Sequence, residues 1–257
     1  MVAPADAHVI ALDVAHWFAT ASHWSGPDGI PARLGEHLVL SAEAMGVAGV
    51  LALPLALTLG HLQRAEVLAG SVSNVGRAMP SFAILVLAAQ FRPIGLGDTA
   101  ALVALVALAI PPLVTNTYVG VRSVDPEVRE AAVAMGLSGW QLLWQVELPL
   151  ALPLMLAGIR TSTVQVIATT TLAAEVSAGG LGRYIVDGIA ESDYTKVWAG
   201  AILVAVLALV AEVVLGRVQA LAVPGRGQAL ALPGGGDRPG GSGPTSATGT
   251  EPVPADR

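Results

Sequence analysis

Cysteine is absent from the 257 residues, which excludes disulfides, thiol catalysis and thiolate metal sites. Lysine occurs only as Lys196, preceded by SDYT, so the chain holds no GxxxxGK(S/T) phosphate loop. Charge is scarce: 12% of residues are charged, against about 25% in an ordinary soluble domain. The net charge of -6 leaves no basic footprint for nucleic acid. Neither GxSxG nor HExxH occurs. The five histidines (His8, His16, His23, His37 and His61) match no metal-ligand spacing and are expected to be solvated or interfacial. No catalytic constellation, metal site or cofactor motif remains. If ATP drives this protein, another chain binds it.

What the chain has in plenty is apolar sequence. Hydrophobic residues make up 54% of it, and its mean hydropathy is +0.67. The fold class expected is an all-α polytopic membrane protein with about five transmembrane helices. The expected spans are Leu38 to Leu59, Val67 to Ala89, Thr99 to Val119, Pro149 to Leu172 and Val197 to Leu215. Residues 1–35 form a separate N-terminal segment, in which Val9 to Trp24 is too short and polar to span and suits an interfacial helix. Residues 36–220 form the transmembrane domain. Residues 221–257 are rich in Pro, Gly, Ser and Thr and are expected to be disordered.

Polar residues inside the spans are the first candidates for function. Glu43 costs about 2.5–3.5 kcal/mol at mid-bilayer and is expected to face protein or water. Asn74, Arg77 and Pro80 make a poor lipid-facing helix; they either line a pathway or tie helices together. Pro54 is expected to kink the first span, and Pro111-Pro112 to break or bend the third. The fourth span carries Thr161, Thr163, Thr169, Thr170 and Thr171, whose hydroxyls either serve a pathway or bond their own helix backbone. The glycines of AAEVSAGGLG suit a close-packed re-entrant turn better than a phosphate nest, since no strand precedes them.

The longest amphipathic stretch between two apolar runs is DPEVREAAVAMGLSGWQLLWQVELP, Asp125 to Pro149. Asp125 is a good N-cap with Pro126 at N1, and Gly136 stands where a C′ residue turns left-handed. Ser138 with Gln141 forms a capping box that restarts a helix, and Leu137 and Leu142 are placed for a hydrophobic staple. The expected unit is helix, glycine turn, helix, ending at Leu148-Pro149.

Glu130-Ala131-Ala132, then Gly136, then a helix ending in Leu148-Pro149, resembles the EAA loop of ABC-transporter permeases. Other strings resemble the branch that carries osmoprotectants such as glycine betaine, carnitine and choline. They are EHL at Glu36–Leu38, SNVGRAMPS ending at Ser81, and NTYVGVRSVDP at Asn116–Pro126. The most specific are ELPLALPLMLAGIRTST at Glu147–Thr163 and TLAAEVSAGGLGRYI at Thr171–Ile185. The chain departs from that branch at Arg77, which stands where a glutamine is usual, at Ser177, which replaces a glycine, and at Glu175, which adds a charge.

The resemblance implies a coupling helix at the cytoplasmic face that docks on an ATP-binding subunit through Glu130, Ala131, Ala132, Gly136, Leu148 and Pro149. It implies a second permease subunit, identical or homologous, a substrate-binding protein outside, and a multi-pass place in the bacterial cytoplasmic membrane. The pathway candidates are Asn74, Arg77, Pro80, Ser81, Asn116, Thr163, Glu175 and Gly180. Two alternatives stand beside this reading. One is a permease for methionine or another small solute; the other is an ion-coupled secondary transporter using Glu43, Arg77 or Glu212, which needs inverted repeats that the sequence does not display.

Orientation is not decided by charge. Arg64, Arg122, Arg129 and Arg217 on one side tie with Arg33, Arg92, Arg183 and Lys196 on the other. The resemblance places residues 122–148 inside and the N-terminus outside. Cysteines introduced at Ser22 and Ser138 are therefore expected to react from opposite faces of intact cells. Labelling of both by an impermeant maleimide from outside overturns this topology.

Overall fold

The computed structural model describes residues 4–63, 81–91, 93 and 95–222, and among these it contains helices and turns but no strand. Helix α1 spans Pro4–Ala19 and is followed by a 3-10 turn, Ala21–Trp24. Helix α2 is Ile30–His61, α3 is Ser81–Gln90 and α4 is Asp98–Arg122. Then come α5, Pro126–Ala134, the short α6, Gly139–Leu142, and a π-turn, Leu143–Glu147. Helix α7, Leu148–Thr169, ends in a 3-10 turn, Thr170–Val176; α8 is Gly182–Glu191 and α9 is Tyr194–Ala222.

Among the described residues, four stretches are long and apolar enough to cross a membrane: Ile30–His61, Asp98–Arg122, Gly139–Val176 and Tyr194–Ala222. They carry four of the expected spans, each extending beyond its expected limits. Helix α3 is the described part of the span expected from Val67 to Ala89. Asn74, Arg77 and Pro80 lie outside the described residues, as does nearly all of the tail expected to be disordered.

Small residues set the packing. Ala44, Ala48, Ala52 and Ala56 recur every fourth residue along α2 and are all buried. This stripe lets α2 lie close along α4, whose Ala100, Ala101, Ala104 and Leu105 are buried in the same cluster. Helix α4 is the central element: 56% of its most apolar stretch is buried, against 17% for α9. Helix α7 packs on both α4 and α2, and α9 packs on α7, α8 and α1. The outer face of α9 exposes Val206, Leu209, Val210, Val214 and Leu221, a surface suited to hydrocarbon.

The structure narrows one expectation about proline and corrects another. The Pro111-Pro112 pair does not break its helix; α4 runs through it to Arg122. Ser162 on α7 donates to the Ala109 carbonyl at 3.1 Å just ahead of the pair, and Asn116 donates back to Pro112 O at 2.8 Å. Neither bond reaches Ala107 or Leu108, whose carbonyls the two prolines leave without a backbone donor; they anchor side chains to the carbonyls on either side of the proline pair. Nor does the chain stop at Leu148-Pro149. Pro149 opens α7 in its first turn, where the missing N–H matters least, and the π-turn carries the backbone into it without interruption.

The alanine stripe yields a direct test. Ala48→Leu adds three carbons where no space is exposed and is expected to destabilise the protein by about 1–3 kcal/mol. Val50→Leu, on the exposed side of the same helix, is expected to change stability by less than about 0.5 kcal/mol. Thermal unfolding of the detergent-solubilised protein measures both, and equal midpoints for the two variants contradict the packing argument.

Candidate functional site

The 125–149 unit is built by local signals that can be followed atom by atom. Asp125 accepts from the Glu127 amide at 2.9 Å, with Pro126 at the start of α5. At the other end Leu137 N donates to Ala132 O at 3.2 Å and Gly136 N to Val133 O at 2.9 Å. That pair of bonds is a Schellman cap, which puts Gly136 in the left-handed region at φ +91°. A Cβ on Gly136 would meet nothing within 4 Å, so only the backbone angle asks for glycine. Ser138 and Gln141 then exchange both capping-box bonds, at 2.8 and 3.4 Å.

Glu130 and Ala131 lie on the exposed face of α5, while Ala132 is buried against the rest of the chain. The unit therefore offers a surface with exposed acidic groups at Asp125, Glu127 and Glu130, small side chains and an open glycine turn. Trp140 and Trp144 are exposed next to it, their rings 5.3 Å apart. Leu148 and Pro149 are at the far end of the unit, where the π-turn passes into α7.

Beneath this surface lies a charged cluster that the sequence reading did not single out. Glu147 is fully buried. Its Oε2 accepts from His61 Nδ1 at 2.6 Å, and its Oε1 is 2.8 Å from Arg129 Nη1 in a charge contact. Arg129 Nη2 also donates to the His61 carbonyl at 3.2 Å. His61 ends α2, Arg129 belongs to α5 and Glu147 is the last residue of the π-turn, so three segments meet at one carboxylate. The only sequence trace is that each of the three is polar at the edge of an apolar run.

At the opposite end the glycine-rich turn is closely packed. Ser177 is left-handed at φ +66° and donates to Ala174 O, with Ala178 donating to Ala173 O. A Cβ on Gly179 would collide with Glu36 Oε2, and one on Gly182 with the Thr171 carbonyl. The Gly180 amide donates to Glu36 Oε2 at 2.8 Å, so the anion held by this turn is the protein's own carboxylate. Gly97 N donates to Val176 O at 2.7 Å and ties the start of α4 to the same turn. On α8 the Tyr184 hydroxyl donates to Asp28 O at 2.6 Å; burial pushes its pKa above the ordinary value, which keeps it a donor.

His37 corrects another expectation, for it is neither solvated nor interfacial. It is fully buried and donates from Nε2 to Ile167 O at 2.9 Å. Ser41 and Thr170 pair at 3.1 Å one turn deeper. His61, held by Glu147, is partly exposed at the end of α2.

The remaining pathway candidates do not converge on one point. Thr163 donates to Ile159 O at 2.8 Å and Asn116 to Pro112 O, both within their own helices. Ser81 opens α3 and lines a small crevice with Thr169. Glu175 is exposed and Gly180 buried, both in the turn after α7. Glu43 is exposed on α2 and shares an open cavity of about 360 Å³ with Glu36, Val39, Leu40, Asp98 and Gly179. Glu212 is ion-paired with Arg160 across α7 and α9.

The fold and this unit define a multi-pass helical membrane protein whose spans are joined by a capped helix pair. Residues 48–222 match the family described as binding-protein-dependent transport system inner membrane component, and the chain belongs to that family. It is 35% identical over 193 residues to the glycine betaine/carnitine/choline transport system permease protein OpuCB of Bacillus subtilis (strain 168), covering 75% of this chain and 88% of that protein. It is also 35% identical over 193 residues to the osmoprotectant import permease protein OsmW of Salmonella typhimurium, covering 74% and 89%. Among solved structures, an inward-facing form of the MetNI methionine ABC transporter aligns with a TM-score of 0.64 at 20% identity, covering 76% of this chain and 96% of that one. The chain is thus a permease subunit of the inner membrane, with the fold of ABC importer permeases.

Gly136→Val is expected to cost about 1–2 kcal/mol through φ alone, because the space around it is open. Amide hydrogen exchange at Gly136 and Leu137 should speed up about tenfold, while exchange within α4 stays unchanged. Unaltered exchange at both amides overturns the assignment of strain to this turn.

Proposed function

We propose that this permease carries osmoprotectants of the glycine betaine, carnitine and choline kind into the cell, driven by ATP hydrolysis in a separate subunit. The observation behind the solute class is identity of about 35% over three quarters of the chain to permeases named for these solutes. The strings Glu147–Thr163 and Thr171–Ile185 support the same branch. In this reading the 125–149 unit faces the cytoplasm and presents Glu130, Ala131 and the Gly136 turn to the ATP-binding subunit. A second permease subunit completes the pathway, and an extracytoplasmic binding protein delivers the solute at the end that carries Gly180.

The chemistry of the solute agrees with what the spans offer. A quaternary amine is held tightly by an aromatic cage, and this chain has few aromatics to build one. The cage is therefore assigned to the binding protein, and the permease needs only a pathway that does not trap its cargo. Asn116 and Thr163 fit that role, since both already bond their own helix and compete weakly for a solute. Asn74, Arg77, Pro80, Ser81, Glu175 and Gly180 complete the proposed pathway set. The carboxylates of Glu36, Glu43 and Asp98 around the outer cavity favour a cation or zwitterion over an anion.

Uptake of labelled glycine betaine, choline and carnitine is measured in cells that express the permease with its own ATPase and binding protein. Deleting the permease should abolish uptake of at least one of the three. If uptake of all three is unchanged and methionine uptake falls instead, the solute class is wrong.

A further inference from the structure

The charged cluster under the 125–149 unit has an arrangement that packing alone does not call for. Helix α5 lies against α6 and the π-turn, and its hydrogen bond to α2 comes from the Arg129 side chain. That side chain is 14% exposed, and the carboxylate it meets is fully buried. The same carboxylate accepts from His61, so α2, α5 and the entrance to α7 share one acceptor. Gly139, the first residue of α6, sits over the His61 ring, where a Cβ would lie 3.4 Å from Nε2. His61 is therefore enclosed by segments on both sides of the glycine turn. A buried ion pair adds little net stability over apolar residues of the same volume, but losing one partner strands the other charge. Separating α5 from α2 or α7 would strand Glu147 in this way, so the three segments are constrained to travel together.

We propose that Arg129, Glu147 and His61 form a clamp that makes α5 and the adjoining ends of α2 and α7 move as one body, so that a push on α5 reaches the spans. These are positioning residues, acting through the helices they join. The inference rests on the reading that α5 receives the ATP-binding subunit. It goes beyond that reading by naming the groups that transmit the motion and the two spans that receive it.

The absence of cysteine makes the clamp testable by reversible bridging. Arg129→Cys with Glu147→Cys removes both charges, and a short bifunctional methanethiosulfonate then rejoins the two segments until a reductant cuts the link. The assembled transporter is reconstituted in vesicles with its ATPase and binding protein. In the reduced state, solute uptake per ATP hydrolysed should fall at least tenfold, with ATP hydrolysis within about twofold of wild type. Bridging should restore at least half of the uptake, and reductant should remove it again. Loss of uptake that bridging does not restore, or reduced protein that transports like wild type, overturns the clamp. Glu147→Gln keeps the volume and removes the charge, and it decides the matter if the cysteine pair does not reach the membrane. Uptake per ATP should again fall at least tenfold, and wild-type uptake in Glu147→Gln overturns the proposal. A wild-type complex that hydrolyses ATP but carries none of the three labelled solutes overturns the solute assignment alone. The clamp is then read on binding-protein stimulation of ATP hydrolysis, which bridging should restore. A wild-type chain that recruits no ATP-binding subunit overturns the underlying reading, and the clamp with it.

Discussion

Inside a bilayer a polar group has no water to fall back on, and much of this structure follows from that constraint. His37 reaches across to the Ile167 carbonyl, Ser41 pairs with Thr170, and Ser162 takes the Ala109 carbonyl beside two prolines. Arg160 and Glu212 neutralise each other between α7 and α9. Each contact joins helices far apart in sequence, so satisfying polar groups also fixes which helices are neighbours. The alanine stripe of α2 supplies close approach, and these polar contacts help to set the register at which the helices meet.

What could be read from the sequence was local. Asp125 with Pro126, Gly136 at C′ and the Ser138–Gln141 box all work within five residues, and each takes the geometry that its spacing predicts. The apolar runs were legible for the same reason, since a stretch long enough to cross carries its signal in itself. The failures are of another kind. His37 reads as peripheral because its partner, Ile167, is 130 residues away, and the pairing of His61 with Glu147, 86 residues away, is hidden for the same reason. Pro149 reads as the end of a helix because the sequence does not display what carries the backbone past it. For Pro149 that is a π-turn.

The glycine-rich turn falls between these cases. Its composition pointed to close packing, and Gly179 and Gly182 are pressed against Glu36 and the Thr171 carbonyl. Composition did not reveal that Glu36 fills the concavity as a resident anion. A carboxylate already seated on the Gly180 amide leaves little room there for an outside anion.

The two ends of the bundle are each tied by a carboxylate, in different surroundings. Around Gly180 the Glu36 carboxylate takes a backbone amide at a spacing where a single methyl group would not fit, so close packing and a charge-assisted hydrogen bond act together. Around Glu147 the carboxylate is fully buried and meets charged partners shielded from water, where an attraction that falls with the inverse of distance is screened least. The packing part of the first contact is lost over a fraction of an ångström, whereas the charge contact of the second weakens gradually with separation.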